Sequence, residues 1–233
     1  MSLLIVFGYG PGISHATARR FGREGYTLGL VGRDATRLAE GVARLRVEGF
    51  EAKAYQCDVS DAGRIRRTVA EIRDDLGTVS ALLWTAFRNG GVKDILTTRA
   101  EGVERVFDIG VAGLLSSTQA VLDDLKATPG AAILVANGSL GEHSSQADGY
   151  AKLLDNDGVA LENAAKSKLV GLLAERLREF DIYVGEITIA GSVAGTSTAS
   201  PTAIEPDAVA DTFMSLTKTR DTTRIRMTEV PTA

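Results

Sequence analysis

The run Leu3-Leu4-Ile5-Val6-Phe7 empties directly into Gly8-Tyr9-Gly10-Pro11-Gly12 and then into Ile13-Ser14. Few folds accept an apolar strand, a glycine-rich turn and a helix start in so short a span. The arrangement aims backbone N–H groups and the positive end of a helix at one point, which suits a pyrophosphate. Gly8 permits the tight turn, Gly12 lets phosphates approach the backbone, and Ile13 opens the helix. A glycine-rich turn that binds nothing is the other reading, and the position between strand and helix weighs against it.

Apolar runs alternate with helix-period segments along the rest of the chain, without a Pro/Ser linker or an internal repeat. Strands are expected near 3–7, 27–31, 51–56, 79–85, 131–136, 182–187 and 224–227, and helices over 13–24, 35–48, 61–76, 100–127, 159–180 and 206–217. Such alternation implies an α/β fold, a doubly wound parallel sheet of about seven strands with helices on both faces. At 233 residues and 44% hydrophobic content the chain can build that core as a single domain over 1–233, with a short substrate-side loop and helix at about 191–217.

Composition removes several classes of function. No apolar run reaches the ~18 residues of a membrane span, and the opening residues lack the basic region and cleavage site of a signal peptide, so export is not expected. A net charge of −4 without a dense Lys/Arg block argues against nucleic acid and anionic membranes as partners. The lone Cys57 forms no internal disulfide, so a cytoplasmic setting is expected. With only His15 and His143 and no Cys/His cluster, no metal site is expected.

The end of the second strand reads Gly32-Arg33-Asp34. An acid there would hold the ribose hydroxyls of NAD, whereas an arginine suits the 2′-phosphate of NADP. Arg33 favours NADP. Asp34 keeps NAD open unless it only caps the following helix.

With those pieces in order, the chain resembles the short-chain dehydrogenase/reductase family over nearly its full length, which implies a Rossmann-type fold. The matching residues are Gly8-x-x-x-Gly12, Gly32-Arg33, Cys57-Asp58-Val59-Ser60, Ser139, Lys166-x-x-x-x-Gly171-Leu172 and Ala190-Gly191-x-Val193-x-x-Thr196. The resemblance implies that Gly8, Gly12, Ile13, Ser14, Arg33, Asp58, Val59, Ala86, Lys166, Val193 and Thr196 hold a nicotinamide cofactor. Asp58 and Val59 would then meet the adenine, and the segment near Val193 and Thr196 the nicotinamide amide. It also implies a small-molecule substrate and a homo-dimer or homo-tetramer paired through the two long helices at 100–127 and 159–180. Their residues Val103, Val106, Ile109, Leu114, Leu115, Leu169, Leu172, Leu173 and Leu177 exceed what one sheet face needs.

The departures from the family pattern carry as much information. Ser14 replaces a glycine, a spacing seen in the divergent branch that includes the enoyl reductases. Only Ala86 survives of the tetrapeptide after strand four, where Trp84-Thr85-Ala86-Phe87 stands, and its bulky members read more readily as core than as substrate contacts. The family's catalytic tyrosine, four residues before the lysine, is Glu162, and the asparagine of the preceding helix is Gly110. Glu162 at i and Lys166 at i+4 also make an ordinary helix ion pair.

Ser139 and Lys166 remain as catalytic candidates. Tyr150, eleven residues after Ser139, is the tyrosine left to protonate a carbonyl, and it lies in a segment, 140–158, that reads as a loop. The alternative for Tyr150 is a surface aromatic. Substrate-facing loops are expected at 87–98 and 191–205, the latter with a mobile lid at 196–200. Two functions follow: an NADP(H)-dependent oxidoreductase acting on a small carbonyl, alcohol or enoyl compound, or a catalytically degenerate dinucleotide-binding protein serving as sensor, scaffold or partner subunit.

Overall fold

Stretches rich in Val, Ile and Leu pair into one seven-stranded parallel sheet in the computed structural model, which describes residues 2–87, 91–197 and 199–229. The strands are β1 (Ser2–Phe7), β2 (Tyr26–Gly32), β3 (Ala52–Gln56), β4 (Ala81–Trp84), β5 (Ala132–Gly138), β6 (Tyr183–Ala190) and β7 (Arg224–Thr228). Their order is β3-β2-β1-β4-β5-β6-β7. Helices α3 (Ala62–Leu76), α4 (Leu114–Ala127) and α6 (Asp157–Leu177) cover one face through Ile65, Val121 and Val170. Helices α1 (Ile13–Arg23), α2 (Ala35–Val47) and α7 (Pro206–Thr219) cover the other through Phe21, Leu45 and Phe213. Sandwiched this way, β1 is buried along Leu3–Phe7, as a parallel strand in mid-sheet must be.

Strand order reverses between β1 and β4, so their C-terminal ends open a crevice where ligands of such sheets bind. Capping acids fix where helices enter that edge. Asp34 accepts from Arg37 N at 3.0 Å to start α2, and Asp61 accepts from Gly63 N and Arg64 N to start α3.

Two expected elements differ. The helix expected over 100–127 is α-helical only from Leu114. Short 3-10 turns at Ala100–Gly102 and Glu104–Phe107 precede it, followed by a π turn at Asp108–Gly113. The π turn contains Gly110, whose backbone comes into contact with α6. The segment expected as a loop at 140–158 contains a further helix, α5 (Ser145–Leu153), begun by Ser144, whose hydroxyl accepts from Ala147 N at 3.2 Å. Left-handed Asp155 (φ 51°) ends it before α6 begins.

Trp84 is core, fully buried against Phe7 with ring centroids 5.6 Å apart, but Phe87 is 58% exposed and packs no core. Of the apolar residues expected to face a second subunit, Val106, Ile109, Leu114, Leu173 and Leu177 are buried within the chain itself, whereas Leu172 is 54% exposed. Among the described residues no helix is long and apolar enough to cross a membrane, and no group of three His, Cys, Asp or Glu could hold a metal.

Candidate functional site

The glycine loop leaves β1 through Gly8, held at φ +84°. A Cβ there would collide with the backbone of Ala86 at the end of β4, so the loop and β4 lie against one another. Thr85 fastens the contact by donating its hydroxyl to Phe7 O and Gly8 O, each at 3.1 Å. Ser14, at the position of a glycine in the family pattern, turns its hydroxyl back on the loop. It accepts from Gly10 N at 2.7 Å and donates to Gly10 O at 2.8 Å, which fixes the turn from inside.

Gly12 caps α1 without a side-chain hydrogen bond, and the first turn holds no acidic residue. Open space lies where its Cβ would be. A helix end with uncommitted donors and room above it fits a pyrophosphate. Ile13 is half-buried behind this cradle.

At the end of β2, the Asp34 carboxylate is engaged in capping α2, while Arg33 is exposed. Gln56 donates to Arg33 O at 2.9 Å and ties that turn to β3. Beyond β3, Asp58 accepts from Ser60 N and Oγ at 3.0 and 2.8 Å, bonds that hold its carboxyl below the usual range. Val59 is buried beside it. The cofactor candidates Gly8, Gly12, Arg33, Asp58 and Ala86 thus gather at the ends of β1 to β4.

The chemical candidates come from β5 and α6. Asn137, near the end of β5, donates to Asn163 O on α6 at 3.0 Å. The next turn, Ser139–Gly141, rests on α6 so closely that a Cβ at Gly141 would strike Ala164 N. The turn that carries Ser139 therefore packs on the part of α6 that precedes Lys166. The Lys166 side chain is 1% exposed, and burial pulls its ammonium below the ordinary lysine range, against the opposing pull of Glu162 and Glu186.

Glu162 and Lys166 make no direct salt bridge, contrary to the helix ion pair expected from their spacing. The Glu162 carboxylate instead accepts from Gly110 N at 2.7 Å. A Cβ at Gly110 would lie 2.6 Å from Glu162 Cγ and Oε1. The replacements at the tyrosine and asparagine positions of the family pattern are in contact with each other. The bond from Gly110 N fixes where the Glu162 carboxyl sits, on the side of α6 that faces the π turn.

Tyr150 lies on α5 and is 53% exposed, and among the described residues it makes no hydrogen bond to Ser139 or Lys166. Val193 stands at the neck of the β6–α7 segment, bridged to Ile204, and the Thr196 hydroxyl donates to Val193 O at 2.7 Å. Part of the 87–98 segment, 88–90, lies outside the described residues.

A group missed in the sequence reading backs the site. Glu186 on β6 is fully buried and accepts from Asn137 Nδ2 at 2.6 Å, Ser167 Oγ at 3.0 Å and Arg224 Nε at 3.2 Å. The signal was there: Asn137 and Glu186 are polar residues inside apolar strands. They border a polar cavity of about 440 Å³ between α6 and the β6–β7 edge.

A family model described as short chain dehydrogenase matches residues 2–151. Granaticin polyketide synthase putative ketoacyl reductase 1 from Streptomyces violaceoruber is 42% identical over 87 residues, 37% of this chain, and the match spans about a third (32%) of the relative. Carbonyl reductase family member 4 from Xenopus laevis is 27% identical over 188 residues, 78% of this chain and 72% of its own. The NADPH-bound structure of a short chain oxidoreductase from Pseudomonas aeruginosa PAO1, described as containing an atypical catalytic center, superposes with a TM-score of 0.83 at 21% identity, covering 97% of this chain and 95% of that one. At that identity the likeness concerns the fold.

Proposed function

Because the chain belongs to the short-chain dehydrogenase/reductase family, we propose that it is an NADP(H)-dependent oxidoreductase acting on a small carbonyl, alcohol or enoyl substrate. The observation that carries this reading is the desolvated Lys166, 1% exposed on the helix against which the Ser139 turn is packed. A lysine buried on a helix that packs against the turn after β5 is costly to keep and is characteristic of a working site.

In this reading the Gly8–Gly12 loop and the α1 N-terminus hold the pyrophosphate, Asp58 and Val59 flank the adenine, and Val193 and Thr196 the nicotinamide end. Bound NADP(H) supplies or accepts a hydride. Ser139 donates a hydrogen bond to the substrate oxygen. Lys166 holds the ribose and lowers the cost of negative charge developing on that oxygen. Tyr150, on the helix that follows the Ser139 turn, supplies the proton. Assembly into a homo-dimer or homo-tetramer belongs to the same proposal, supported by Leu161 and Leu172, 38% and 54% exposed on α6.

Preference for NADP rests on Arg33. Arg33→Ala is expected to weaken NADPH binding about 10- to 100-fold, the loss of one charge-assisted contact of ~1.5–3 kcal/mol, and to leave NADH binding unchanged, as read by fluorescence titration. Equal loss for both cofactors would remove Arg33 as the 2′-phosphate ligand.

Turnover on a panel of carbonyl and enoyl compounds tests the chemistry. Ser139→Ala and Tyr150→Phe are each expected to lower kcat by about 10²-fold while cofactor affinity stays the same. Full activity in Tyr150→Phe would pass proton delivery to solvent. Tight NADPH binding without turnover on the whole panel would overturn the oxidoreductase reading.

A further inference from the structure

The segment between β6 and α7, expected to carry a mobile lid, is fastened at both feet by one carboxylate. Glu229 follows directly on β7. Its Oε1 accepts from Ser192 N and Ser192 Oγ, both at 2.6 Å, and its Oε2 accepts from Ser200 Oγ at 3.0 Å and Thr202 Oγ1 at 2.9 Å. Ser192 lies at the exit of β6, whereas Ser200 and Thr202 lie at the return toward α7, so the four bonds join the two ends of the loop.

The two feet also meet directly. Ser192 Oγ lies 3.1 Å from Ser200 Oγ and accepts from Ser200 N at 2.9 Å. Next to the clasp, Val193 bridges Ile204, with Ala194 N donating to Ile204 O and Ile204 N to Ser192 O, each at 2.9 Å. Gly191 has φ +155°, and a Cβ there would strike Glu229 Cγ, so this position admits the Glu229 side chain only as glycine. These bonds hold the Glu229 carboxyl down at about 2, so the clasp is ionised throughout the neutral range.

We propose that Glu229 is a positioning residue that fixes the 191–205 segment and thereby sets the affinity of the nicotinamide and substrate end of the site. The assignment rests on the oxidoreductase reading above, which puts Val193 and Thr196 against the nicotinamide. Glu229 touches neither ligand. It acts by keeping Ser192 and Thr202 together, so that Val193 and Thr196 are held in one arrangement instead of many.

The test uses the whole protein and two variants, Glu229→Ala and Glu229→Gln. Glutamine keeps one acceptor for Ser192, and its amide can donate to the Ser200 and Thr202 hydroxyls, which accept as readily as they donate. Amide hydrogen exchange over 192–204 is expected to speed up about tenfold in Glu229→Ala and to return toward wild type in Glu229→Gln, with exchange in β1 and β5 unaltered. In the same proteins the NADPH Kd and the substrate KM are expected to rise about tenfold in Glu229→Ala with kcat within about threefold, and Glu229→Gln should recover most of the loss.

Unchanged exchange in Glu229→Ala overturns the proposal, and so does faster exchange with Kd and KM unaltered. Should Glu229→Ala not fold, Thr202→Val, which removes one clasp donor, is read against the same expectations. The exchange measurement needs no turnover. A wild-type protein that neither binds NADPH nor turns over would therefore sink the oxidoreductase reading separately, with the anchoring of the loop by Glu229 judged on exchange alone.

Discussion

Lys166→Ala is expected to lower kcat/KM by about 10³-fold and to cost about 2–4 kcal/mol of stability, two losses with one physical origin. The side chain is 1% exposed and balances Glu162 and Glu186, which also face the interior. Glu186 keeps Arg224 Nε at 3.2 Å and Glu162 keeps Gly110 N at 2.7 Å when the lysine is removed, so both carboxylates retain a donor. The expected cost is set somewhat below the ~3–5 kcal/mol of a broken buried pair because Lys166 and Glu162 are not in direct contact.

The pH dependence has a definite sign. Burial lowers the folded-state pKa of Lys166, so between that value and the ordinary lysine pKa the unfolded chain binds more protons, and wild-type stability rises with pH. Lys166→Ala lacks this rise. Urea midpoints at about pH 7 and about pH 10 should show the gap between the two proteins widening at the higher pH. A gap that narrows would contradict the assignment of a desolvated, charged lysine, and turnover retained within tenfold would remove it from the chemistry.

Why the strands are readable from composition while the site is only half so follows from what each requires. A strand covered on both faces, such as β1 or β4, must be apolar throughout, and that leaves an unbroken run in the sequence. Helix α4 misleads because 100–113 has helical periodicity yet is bent into 3-10 and π turns by contacts with α6, and such contacts are tertiary. Helix α5 is hidden for a local reason. Gly149 and the Asp155–Gly158 turn signal a loop, while the Ser144 cap outweighs them.

The places of the glycine loop, Arg33 and Ser139 are legible because each follows directly on a strand, β1, β2 and β5. The Glu229 clasp is not, since nothing in the order of residues brings Glu229 to Ser192 and Thr202. The same holds for Gly110 and Glu162, which are 52 positions apart and each stand out in the sequence as a separate loss.

Their contact makes them one change, and this has a measurable consequence. Gly110→Ala is expected to cost about 2–4 kcal/mol, because the new Cβ would lie 2.6 Å from Glu162 Cγ and Oε1 and the carboxylate cannot withdraw without giving up Gly110 N. Glu162→Ala is expected to cost about 2–3 kcal/mol, since it orphans the buried Gly110 N–H and deprives Lys166 of an anion. The double variant should then be about as stable as Glu162→Ala alone: the three atoms nearest the new Cβ all belong to Glu162, so removing that side chain relieves their clash, and alanine is the better helix former. The coupling energy from urea denaturation of the four proteins is then expected to match the cost of Gly110→Ala, about 2–4 kcal/mol, whereas simple additivity of the two costs would show that the sites are independent. The same clash means that Gly110→Asn cannot reinstate the family's asparagine while Glu162 remains. Glu162 thus requires a glycine at 110, and the two positions are one structural unit beside the buried Lys166.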